Sequence, residues 1–174
     1  MSTYSNKTTI SWDQRVELTI PRDSSQSRAW DDFESGIRNA MESGKRAILL
    51  RAPVMVAADG IGRIRRLISS SLRPTNTLAA TSNSPSAAMR WLVIDDLVLA
   101  KSTGADGVIF SSRPAQSSYS RAREVLGSKG FIGRLIDQSD SDTADTCSTE
   151  PGSEEIDLFV TAAPGCSLDA DAAS

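Results

Sequence analysis

Arg51, the adjacent pair Asp95 and Asp96, and the pair Ser111 and Ser112 are the residues whose types and positions could do chemistry. Each follows a short apolar run of the kind that forms a strand. A guanidinium at a strand end can bind phosphate or pyrophosphate through its planar, charged fork. Two neighbouring acids can hold a hard cation such as Mg²⁺. Successive strand residues point to opposite faces, so at most one of the two acids turns toward a ligand. Serines before a helix can hydrogen-bond a phosphate. Most of these residues also have a structural alternative. Arg51 can pair with an acid, Asp96 can cap the following helix, Asp106 can fix the turn before a strand, and the serines can be loop residues. The chain contains no histidine, which removes Ser-His-Asp and Cys-His nucleophile systems and every histidine metal site. Cys147 and Cys166 have no CxxC spacing and no basic neighbours, so neither an activated thiolate, a zinc site nor a disulfide framework is expected.

The elements that must position these residues can be read from periodicity. Arg15 to Ile20 alternates apolar and polar residues and stops at Pro21, a strand pattern. Trp30, Phe33, Ile37 and Met41 recur at helical spacing, and Gly44 closes that helix. The unbroken run Ala47 to Leu50 reads as a strand buried on both faces. Ile61, Ile64, Leu67, Ile68 and Leu72 define a second helix, and Arg63, Arg65 and Arg66 decorate its solvated face. Residues 74–88 read as loop. Strands follow at 91–95, 107–110, 131–135 and 156–160, with a short helix over 97–103 and another through Tyr119, Ala122 and Leu126. Residues 138–155 lack hydrophobic periodicity. Six strands alternating with helices argue for parallel β-α-β units with right-handed crossovers. An open doubly wound sheet and an incomplete β/α barrel both fit this pattern, although no GxGxxG or GxxxxGK[ST] follows any strand.

The 174 residues suit one domain, predicted over 13–162 between a polar leader (1–12) and an acidic, flexible tail (163–174). All 19 Lys and Arg lie between Lys7 and Arg134 together with 12 of the 22 acids, a net +7. Residues 135–174 carry the other ten acids and no base, a net −10. That division is expected of a folded body followed by a solvated acidic end. No apolar stretch has the length of a membrane span and the first nine residues are too polar for a signal peptide, so a cytoplasmic location is expected.

The segment Trp91-Leu92-Val93-Ile94-Asp95-Asp96 through Gly104-Ala105-Asp106-Gly107-Val108 resembles the thiamine phosphate synthase and thiazole tautomerase family. Ser120 to Gly127 is similar to the family's Ala-Arg-x-x-Leu-Gly helix end, and Phe131-Ile132-Gly133 to its Ile-(Ile/Val)-Gly strand. Ile156 to Val160 stands where the family has Ala-Asp-Tyr-Val, and Leu50-Arg51 where it has Leu-Arg. The likeness spans about residues 15 to 162 and is specific from 91 to 133. It implies a TIM-barrel-like (β/α) fold, here incomplete, with about six parallel strands instead of eight. It also implies a transferase joining a pyrimidine diphosphate to a thiazole phosphate, with Mg²⁺ as cofactor. On this resemblance Arg51 binds the diphosphate, Asp95 replaces the usual Asn, and Asp96 holds the metal. Ser111 and Ser112 fall in the same substrate-binding region.

The departures weaken the implied site. The family's second metal carboxylate has become Pro114, and its phosphate lysine falls at Pro53. The family's last two strands, whose turns hold the thiazole phosphate, are expected to be missing. Two functions are therefore expected. One is a thiamine phosphate synthase-like protein that binds phosphorylated precursors at a degenerate site. The other is a non-catalytic relative serving as an interaction or regulatory subunit. Expected partners are small phosphorylated thiamine precursors, and a second copy or protein partner covering open sheet edges. Neither nucleic acid nor a membrane is expected.

Overall fold

The computed structural model describes residues 8–23, 25–53, 55–71, 89–112, 114–136 and 156–162. The loop expected over 74–88, the acidic stretch 138–155, the tail 163–174, Cys147 and Cys166 lie outside them. The described elements run β1 (Thr8–Ile10), a 3-10 turn (Trp12–Gln14), β2 (Arg15–Thr19), α1 (Ser27–Glu42), β3 (Ala47–Arg51), α2 (Ala58–Ser71) and β4 (Arg90–Ile94). They continue with α3 (Leu97–Thr103), β5 (Gly107–Phe110), α4 (Gln116–Leu126), β6 (Phe131–Ile136) and β7 (Leu158–Thr161).

All strand pairings are parallel, in the order β1-β7-β6-β5-β4-β3-β2. The six expected strands are present, and the seventh, β1, comes from the segment read as a polar leader. Three residues carry too short a pattern to register as a strand by alternation. The two outermost strands, β1 and β2, are consecutive in the chain. In a flat sheet of seven strands they would lie about 29 Å apart at the usual interstrand spacing. The stretch from Ile10 to Arg15 can span at most about 18 Å. The sheet must therefore curl, and it forms an incomplete β/α barrel in which one bent N-terminal segment supplies both edges.

Two apolar clusters separate the faces of this sheet. The outer one joins strand residues Ile48, Leu50, Trp91, Val93, Val108 and Ile132 to helix residues including Trp30, Phe33, Ile64 and Tyr119. Trp30, Phe33 and Ile37 form the buried stripe of α1, each contributing about 1.5–3 kcal/mol by burial. Met41, predicted on that stripe, is half exposed, and Ala40 makes the buried contact in the last turn instead. The inner cluster contains strand residues alone: Ile10, Ala47, Leu49, Leu92, Ile94, Ile109, Leu158 and Val160. The inside of the curl is thus a packed core, as in other β/α barrels.

Glycine makes that packing possible at one position in particular. A Cβ on Gly133 would stand 2.3 Å from Ile109 Cδ1 and 2.8 Å from Leu158 Cδ1. Both large side chains fill the space left by the missing Cβ. Among the described residues no helix is long and apolar enough to cross a membrane.

Candidate functional site

Because every strand is parallel, all strand C-termini open onto one rim, the side on which barrel sites are built. Register places the candidates on neighbouring strands there. Thr19 of β2 lies opposite Arg51 of β3, Arg51 lies opposite Ile94 of β4, and Asp95 follows directly. Ile94 lies opposite Ile109 of β5, two residues before Ser111.

Arg51 keeps half of its side chain exposed and donates from Nε to Glu17 Oε1 at 2.6 Å. Glu17 also lies 3.5 Å from Arg15 Nη1. Arg15 is only 8% exposed and donates from Nε and Nη2 to the Thr161 carbonyl, at 3.2 and 3.1 Å. Strand alternation turns Arg15, Glu17 and Thr19 to the inner face, while Leu18 packs outward against Gly36 of α1. Two guanidinium groups and one carboxylate therefore meet inside the rim. Sequence reading passed over Arg15 and Glu17. The signal was available, since two charges at i and i+2 share one face of a strand whose other face is apolar.

Asp95 is exposed and has a φ of 55°. Only a few non-glycine residues tolerate that region, Asp and Asn among them. Its carboxylate accepts the Ser111 backbone N–H at 2.9 Å and a short bond from the Ser111 hydroxyl. Ser111 therefore directs both donors at Asp95 rather than at open space. Ser112 is exposed. Asp96 is the N-cap of α3, accepting from Leu99 N at 2.8 Å, so its alternative structural role is the one the geometry displays. Asp106 lies at the opposite end of the sheet. It accepts from Trp91 N through its side chain at 2.8 Å and donates its own N–H to the Trp91 carbonyl at 2.8 Å. This is the turn-fixing role read for it from the sequence.

The fit to Mg²⁺ is poor. Hard cations of this kind need several oxygen ligands in near-octahedral array, yet Asp96 is turned to its helix and Asp95 to Ser111. Among the described residues no group of three or more acids, cysteines or histidines could hold a metal ion. The described rim can instead offer a cation to an anion, through the half-exposed Arg51.

Comparison with protein-family models and with curated proteins returns no match for this chain. The likeness to thiamine phosphate synthases therefore rests on the motifs quoted above.

Proposed function

We propose that this chain binds a phosphorylated thiamine precursor at the C-terminal rim and does not join two such substrates. The observation that carries this reading is Arg51. It stands at the C-terminal end of β3, paired on both sides by parallel strands, its side chain is half exposed, and its fork suits a phosphate. The engagement of the carboxylates supports the reading without turnover. Asp95 and Asp96 are engaged with Ser111 and Leu99, and Pro114 stands where the resemblance would require a second metal ligand.

Thermal unfolding of the full chain with pyrophosphate or thiazole phosphate, with and without Mg²⁺, tests the reading, together with a separate incubation that supplies both the pyrimidine diphosphate and the thiazole phosphate. A ligand that binds only the native state raises Tm by mass action. The expected result is a rise that does not depend on Mg²⁺, is lost in Arg51→Ala, and is accompanied by no thiamine phosphate formation. Mg²⁺-dependent product formation would establish the transferase instead, and no rise with either compound would remove the phosphate reading.

One observation favours the interaction-subunit reading. Met55, after β3, and Val98, in the first turn of α3, are 76% and 72% exposed. Both come four residues after a strand C-terminus, Met55 after Arg51 and Val98 after Ile94. A contiguous apolar patch rimmed by polar residues marks protein contact, and the interaction-subunit reading requires these two side chains to belong to one. Sedimentation as more than a monomer at micromolar concentration, reversed by Met55→Ser with Val98→Ser, would support it.

A further inference from the structure

We infer, resting on the reading of the rim as a phosphate site, that Glu17 is the positioning residue of that site. It holds Arg51 by Nε and so leaves Nη1 and Nη2 of the guanidinium presented to an oxyanion.

A guanidinium presents its donors in a flat fork, one at Nε and the rest at Nη1 and Nη2. Glu17 Oε1 takes only the Nε–H of Arg51, at 2.6 Å. Among the described residues nothing hydrogen-bonds to the two Nη groups, and half of the side chain is exposed. Glu17 is itself braced. Its Oε2 lies 3.5 Å from Arg15 Nη1, and Arg15 is fixed by two bonds to the Thr161 carbonyl. Arg51 is therefore tied through Glu17 and Arg15 to β7. The nitrogen it commits to that tie is the one that an oxyanion gripping the Nη edge does not use.

An untethered arginine surrenders the rotamer freedom of a long side chain when it grips a ligand, which weakens binding by about two- to tenfold for one such side chain. Arg51 has given up that freedom before any ligand arrives, because the contact to Glu17 sets the direction of its fork. A phosphate that turns two oxygens to the Nη edge then gains two parallel, charge-assisted bonds with Glu17 still in place. The charge of Glu17 acts in the opposite sense and lowers the attraction for every anion alike. Arg15 offsets it, since two guanidinium groups around one carboxylate remain net positive. Glu17 thus decides how Arg51 is presented, and not which oxyanion it takes.

Calorimetric titration of the full chain with pyrophosphate, at constant ionic strength and without Mg²⁺, tests this role through two neutral variants. Glu17→Gln and Glu17→Ala both remove the charge, so its effect cancels between them, but only Gln keeps an oxygen for Arg51 Nε. Glu17→Gln is expected to bind pyrophosphate about two- to tenfold more tightly than Glu17→Ala, and equal affinities would overturn the role of Glu17. The native protein supplies a second readout that does not depend on either variant folding. The NMR signal of the Arg51 Nε–H, assigned by its loss in Arg51→Lys, should keep its hydrogen-bonded shift when pyrophosphate saturates the protein. A move toward the shift of free arginine would mean that the ligand displaces Glu17, and would equally overturn its role. If the native protein does not bind pyrophosphate at all, the phosphate reading itself fails.

Discussion

Arg15, at the start of β2, donates two hydrogen bonds to the carbonyl of Thr161, at the end of β7. These residues are 146 positions apart, one on the edge strand β2 and the other on β7, the strand next to the opposite edge. Their contact ties the curl of the sheet together where β1 and β2 have no described pairing with each other. The same guanidinium reaches Glu17, so closure of the sheet and placement of the candidate site depend on one side chain.

Arg15→Ala should destabilise the protein by about 1.5–3 kcal/mol, the usual range for hydrogen bonds to a charged group. Arg15→Lys should recover little of this, because an ammonium cannot reproduce the paired Nε and Nη2 donors. The midpoint of urea unfolding is the measurement. Arg28→Ala, at an exposed position on α1, should stay within about 0.5 kcal/mol of the parent.

Gly133→Ala should cost about 1–3 kcal/mol, because its methyl would overlap Ile109 and Leu158 in a filled interior. Ile109→Val removes the Cδ1 atom in the closer overlap. Combined with Gly133→Ala it should therefore cost less than the sum of the two single changes, by at least about 0.5 kcal/mol. A double-mutant cycle in urea unfolding gives this coupling directly, and strict additivity would contradict the packing described.

Asp96→Ala should cost about 1 kcal/mol through loss of the α3 cap. Asp96→Asn and Asp96→Ser should remain close to the parent, since both residues cap well. Millimolar Mg²⁺ should leave the melting temperature of all four proteins unchanged. Stabilisation of the parent by Mg²⁺ that disappears in Asp96→Asn would return this residue to the metal role its motif implies.

The sequence by itself determined the elements, because their causes are local. Alternation marked β2, unbroken apolar runs marked β3 and β4, and the positive-φ glycines Gly44, Gly104 and Gly127 stood where helices were expected to stop. Parallel pairing followed from the alternation of strand and helix. The capping role of Asp96 and the turn role of Asp106 were also open to reading, since each bonds to backbone that secondary structure alone brings near. Tertiary structure decided the rest. The partner of Arg51 is an acid 34 positions away, and Ser111 meets Asp95 across 16; neither pairing has a periodic signature. The role of Thr8–Ile10 was decided by the vacant edge of β7, which gives three residues a ladder that no local pattern could announce. Whether the sheet stays open or curls is settled by the short stretch between Ile10 and Arg15, and that constraint has force only once β1 is known to pair with β7 and β2 with β3.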